Sequence, residues 1–153
     1  MIKQPKNIKT KGDIFDGELV WNPNFANMHN ANFNKAQEYI DSRCISLMKP
    51  FTPFKTGILE KLAHPVEPGL IKQDGPYAKY QYYGKLMVSP ITGSAYSKGE
   101  KKVLTDTPLN YSKAKHPQAG SMWFEKMKAA NKDKILKGAE KIAKGGWLWI
   151  LSN

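Results

Sequence analysis

One apolar stripe constrains this chain more than any other feature. From about Asn32 to Met48, the residues Phe33, Ala36, Ile40, Cys44 and Leu47 recur at three- and four-residue steps. That spacing lines side chains along one face of an α-helix. Asn30 or Asn32 stands where a side chain can cap the first free amides. Pro50 closes the segment, because the residue before a proline is pushed out of helical geometry. Burying Phe33, Ile40 and Leu47 contributes about 1.5–3 kcal/mol each.

A second helix is predicted from about Ser121 to Lys144. Ser121 is its N-cap, Glu125 lies near its first turn and Gly145-Gly146 closes it. Its apolar positions are Trp123, Met127 and Ala130, then Ile135, Ala139 and Ile142. They change phase near 131–133, which predicts a kink or a break there. Between the helices the chain is punctuated by proline and glycine. Thr56-Gly57 opens a short segment, Ile58 to Ala63, and Asp74-Gly75-Pro76 is a turn. Strand candidates are Val66 to Lys72, Lys85 to Ser89 and Lys102 to Thr105. The stretch Tyr77 to Tyr83 fits a strand by propensity or two turns of helix by spacing. PITGSAYSKGE, residues 90–100, reads as an exposed loop, and 107–118 as irregular chain.

Residues 1–31 read as an extended, asparagine-rich basic arm, in which Leu19, Val20 and Trp21 form a short edge strand or dock on the body. No apolar run approaches the roughly 18 residues of a membrane helix, so no membrane partner is expected. The basic N-terminus lacks the apolar core of a secretory signal. Cys44 is the only cysteine, which excludes an intrachain disulfide. On the apolar stripe it reads as a small core residue.

The net charge is +11, unevenly placed. Residues 1–12 hold four lysines and no acid, residues 13–97 are balanced at eight against eight, and residues 98–153 hold twelve lysines against five acids. Arg43 is the single arginine. Lysine acts as a point charge and lacks the bidentate geometry that reads base edges. Any nucleic-acid contact is therefore expected to be non-specific, through phosphate and weakened by salt.

Catalytic patterns are missing. His29, His64 and His116 sit in turn-like segments outside any metal-ligand spacing, and no GxSxG, P-loop or GxGxxG motif occurs. Asp13, Asp16 and Glu18 cluster on the arm, away from a rigid scaffold. No catalytic residue, metal ligand or cofactor site is expected. The tyrosine-rich stretch DGPYAKYQYYGKL, residues 74–86, suits either a nucleic-acid groove or a protein interface.

Three pieces in order carry a resemblance: PFTPFKTGIL (50–59), GPYAKYQYYG (75–84) and HPQAGSMWFEKMK (116–128). Over about residues 32–145 the chain resembles the minor capsid or neck proteins of long-tailed bacteriophages, also called head–tail connector or tail-completion proteins. The matching positions are Pro53, Thr56, Gly57 and Leu59; then Pro76, Tyr77, Ala78, Tyr83 and Gly84; then Pro117, Trp123 and Phe124. Where many of that family carry an acidic residue, this chain has Gln81, Tyr82 and Tyr83.

The resemblance implies an α+β fold, with a small antiparallel sheet flanked by an N-terminal helix (about 32–49) and a long C-terminal helix (about 121–144). The domain then spans 32–146, between the arm and an apolar tail at 147–153. It also implies a structural virion protein without cofactor, made in the host bacterial cytoplasm. The expected partners are its own copies, in a six- or twelve-fold ring at the head–tail junction, a portal-side adaptor or stopper, and tail proteins. DNA passing through the lumen would be touched non-specifically. Within this scheme Tyr77 and Tyr83 are expected to pack inside the subunit. Tyr80, Tyr82, Trp147, Leu148, Trp149 and Ile150 are expected at interfaces.

Overall fold

The computed structural model describes residues 1–11, 16–96 and 98–145. The chain is α+β, built on two long helices. Helix α1 spans Phe25–Met48 and runs on into a 3-10 turn at Lys49–Phe51, which contains Pro50. The last long helix, Trp123–Ala143, packs antiparallel to it. The Gly120 amide donates to the Phe51 carbonyl at one end (3.2 Å), and Tyr39 lies on Gly138 further along. A β-carbon on Gly138 would fall 2.6 Å from Tyr39 Cζ. Glycine inside a helix costs about 1 kcal/mol relative to alanine; here it lets a tyrosine ring fit between two helices.

Helix α1 starts seven residues before the expected arm boundary. The stretch 25–31 has weak helix propensity, so its order comes from tertiary contacts. Asn24 makes no side-chain cap. Gln4 acts instead, its Oε1 accepting from the Ala26 amide (3.1 Å) while its Nε2 donates to the Asn22 carbonyl (2.9 Å). Phe25 stacks between Trp21 and His29, with centroids 5.1 and 4.3 Å away. Neither Asn30 nor Asn32 is a cap. Asn30 lies within the helix and clamps the backbone of Ile2 from both sides, at 2.9 and 3.0 Å. The arm is thus tied down rather than simply extended, and it carries a hairpin of β1 (Ile8–Lys11) and β2 (Asp16–Leu19).

After α1 come a one-turn helix α2 (Ile58–Lys61), strands β3 (Ala63–Glu67) and β4 (Leu70–Gln73), helix α3 (Ala78–Tyr83), strands β5 (Lys85–Val88) and β6 (Val103–Pro108), and helix α4 (Trp123–Ala143). The β structure forms three separate antiparallel pairs, β1–β2, β3–β4 and β5–β6, among the described residues. The single strand expected at 66–72 is split by Pro68-Gly69. Proline fixes its own φ and Gly69 takes φ 84°, which makes a reversal. Asp41, buried in α1, accepts from the Gly69 amide (3.0 Å) and from Gln37 (2.9 Å), docking this hairpin on the helix. Asp41→Ala leaves the Gly69 amide without its partner and is expected to cost about 1–3 kcal/mol in urea unfolding.

The core cluster is Met48, Trp123, Met127 and Ile135, with Ile40, Cys44 and Leu47 packed against it. Burial pushes the Cys44 thiol up, and the Asp41 charge adds to this. Phe33 departs from the expected stripe. The core faces the C-terminal half of α1, so Phe33 is 49% exposed. Helix α4 shows no break at 131–133. Its buried row runs Trp123, Met127, Ile135, Ala139, in steps of four with Asn131 between. Asn131 stays on the row by donating to the Met127 carbonyl (3.2 Å). Ala130, expected on the apolar face, is exposed. Ser121 is not the cap of α4. That position falls to Met122 at φ 51°, whose amide donates to the Tyr82 carbonyl (2.8 Å).

Candidate functional site

The first two motifs meet in space. The chain leaves α1 through Thr52, which is buried and donates its hydroxyl to the Met48 carbonyl (3.0 Å). Pro53 and Phe54 follow. Gly57, at φ 77°, starts α2, and a β-carbon there would come within 3.0 Å of the Phe54 ring. Phe54 is held edge-on by His116 (5.1 Å), with the Lys115 ammonium 3.9 Å from its ring centroid. His116 Nδ1 bonds the Thr52 carbonyl (2.8 Å), and its Nε2 stands 3.9 Å from Glu60, which also pairs with Lys49. On the other side, Gly75 precedes α3, and a β-carbon there would clash with Leu62 at 2.7 Å.

Between these walls is a cleft of about 750 Å³. Pro53, Thr56, Gly57 and Leu59 line it from the first motif, and Pro76, Tyr77 and Ala78 from the second. Asn110, Tyr111 and Ser112 close it; the Tyr111 hydroxyl donates to the Gln81 carbonyl. Burial pushes the Tyr111 phenol up, so it stays a neutral donor. Ile58 and Tyr77 at the rim are 62% and 66% exposed. No histidine, cysteine, aspartate or glutamate is among the lining residues. The lining, in which Lys55 is the one charged side chain, can receive an apolar group and hydrogen-bond its backbone.

The third motif supports this cleft from behind. Trp123 Nε1 donates to Gln73 Oε1 (3.0 Å), and Gln73 Nε2 donates to the Leu59 carbonyl (2.5 Å). One glutamine of β4 thereby ties the third motif to the first. Gly84, Tyr83, Phe124 and Pro117 stand outside the cleft. Tyr83, Phe124 and Trp123 instead border a second hollow of about 590 Å³ with α1 and β4. Pro117 is exposed in the turn that closes when the Ala119 amide meets the His116 carbonyl (3.0 Å).

Tyr77, Tyr82 and Tyr83 are placed otherwise than expected. In the helix that forms here, Ala78 and Tyr82 share the inward face, being four residues apart. Tyr82 packs edge-on against Trp123 at 4.9 Å. Burial raises its phenol pKa, and the charges of Glu125 and Tyr83 add to this. Tyr77 and Tyr83 face outward instead, Tyr83 with 55% exposure. Tyr80 is half-buried. Trp147, Leu148, Trp149 and Ile150 lie outside the described residues. Gln73, Thr52 and Tyr111 were not singled out by sequence, because nothing in their neighbours marks a long-range hydrogen bond. Among the described residues no three of His, Cys, Asp and Glu gather in a set that could hold a metal ion, and no helix is long and apolar enough to cross a membrane. No family model matches the chain, and comparisons with curated proteins and with solved structures found no match.

Proposed function

We propose that this chain is a structural subunit that assembles with copies of itself into a ring at the head–tail junction of a long-tailed phage, between a portal-side connector and the tail. The observation that carries this reading is the cleft: two of the three resembling motifs line it, the third braces it, and its lining is mainly apolar, with Ile58 and Tyr77 exposed at the rim. Such a surface suits packing against protein, and a rotationally repeated head-to-tail contact closes a ring. Mass spectrometry of purified phage particles carrying this gene tests the reading. The chain is expected at a constant copy number per particle; its absence from particles that are otherwise complete would refute the assignment.

A second reading is non-specific DNA binding, favoured by the outer face of α4. Lys134, Lys137 and Lys141 recur at steps of three and four and are exposed. Replacing all three with glutamine is expected to flatten the log–log dependence of DNA affinity on salt by about 3, one phosphate contact per lysine. Gel shifts between low and moderate salt measure it. Absence of binding by the unaltered chain at low salt removes this reading.

A further inference from the structure

We infer that the apolar cleft receives the segment Trp147-Leu148-Trp149-Ile150 of a second copy of the chain, which makes that segment the connector between neighbouring subunits. The inference rests on the ring reading above and adds to it the two surfaces that would meet.

The chemistry matches on both sides. The cleft offers Phe54, Ile58, Leu59 and Leu62 as apolar wall and the side chains of Gln81 and Asn110 as polar groups. An extended segment with large apolar side chains needs such a wall for its rings and such groups for its backbone. A volume of about 750 Å³ lies within the range of sites that enclose several ring systems.

Reach decides between the chain's own segment and a neighbour's. The cleft sits at the end of the molecule where α4 begins: Met122 bonds Tyr82, and Gly84 lies against Ser121. Helix α4 then runs 21 residues away from that end, about 30 Å at 1.5 Å per residue. Trp149 stands four positions beyond Gly145, at most about 14 Å along an extended chain. A subunit's own Trp149 therefore falls short of its own cleft by roughly half the distance. A neighbour's can enter it. Such a contact is heterologous, joining two different surfaces, and it repeats from subunit to subunit.

Cross-linking of the full chain tests this. In a Cys44→Ala background, one preparation carries Ile58→Cys and another Trp149→Cys. The two are mixed and treated with a short bismaleimide. The expected product is a cross-linked heterodimer, formed well above the level given by Thr92→Cys, on the exposed insert, paired with Trp149→Cys. Independently, Ile58→Asp is expected to weaken self-association about tenfold or more with an unchanged thermal melt, since the side chain is exposed within one subunit. No cross-link between the two preparations, while a third preparation carrying both cysteines in one chain cross-links only within single chains, overturns the inference. So does assembly that persists with no Ile58–Trp149 cross-link and no effect of Ile58→Asp; in that case the ring reading survives. A chain that stays monomeric at every concentration overturns both.

Discussion

Trp123→Ala is expected to lower the free energy of unfolding by about 3–5 kcal/mol. Trp123 is 1% exposed at the centre of the core cluster. Its removal opens a cavity between the two long helices, deprives Tyr82 of its edge-on partner, and leaves Gln73 without its donor. Domains of this kind are stable by about 5–15 kcal/mol, so much of the total is at stake. Guanidinium unfolding followed by circular dichroism measures the loss, which corresponds to a melting temperature lower by about 10 °C or more. Trp123→Phe keeps most of the ring and removes the N–H. It is expected to cost about 1–3 kcal/mol, because Gln73 Oε1 is then left without a partner.

The second large effect is expected at Gly84. Its φ of 72° lies in the left-handed region, where it ends α3, and its amide donates to the Tyr80 carbonyl (2.9 Å). A β-carbon there would stand 2.8 Å from Ser121 Cβ and 3.0 Å from the Tyr111 hydroxyl. Relief would require moving Ser121, and with it the Met122–Tyr82 hydrogen bond, or moving Tyr111 off Gln81. Gly84→Ala therefore combines about 1–2 kcal/mol of backbone strain with about 1–3 kcal/mol of overpacking. Gly93 supplies the control. Its φ is 68°, and a β-carbon there meets nothing within 4 Å. Gly93→Ala is expected to cost only the backbone part, about 1–2 kcal/mol. Urea unfolding of the pair isolates the contact at the corner where the second and third motifs touch. Equal losses at the two positions would mean that Gly84 is needed for its conformation alone.

The sequence was most legible where a pattern repeats and least where order is imposed from a distance. The stripe Ala36, Ile40, Cys44, Leu47 and the stop at Pro50 could be read because helical spacing and proline sterics are local. The start of α1 could not, since the hydrogen bond that organises its first turn comes from Gln4, 22 residues upstream. Asn131 looked like a break in α4 because spacing alone does not reveal that its side chain can bond the Met127 carbonyl. Tyr82 was misassigned because six residues of helix and six of strand place different tyrosines inward, and composition does not choose between them. Gly57 and Gly75 were marked at turns and Gly84 as a motif position, and each proves to stand where a β-carbon would press on a neighbour. That the first two motifs share a cleft was beyond sequence, because its walls come from segments far apart in the chain, 53–62, 75–81 and 110–112. Most of the cleft lining nevertheless belongs to the first two motifs, and this concentrates the functional reading on one end of the molecule.

The most direct test of that account is the mass of the full chain in solution, measured by sedimentation velocity across a wide concentration range and paired with negative-stain images. Self-association into a closed ring predicts one discrete species, several times the mass of a single chain, that stops growing with concentration and appears annular. A single-chain mass at every concentration would contradict it, and so would open-ended growth into filaments.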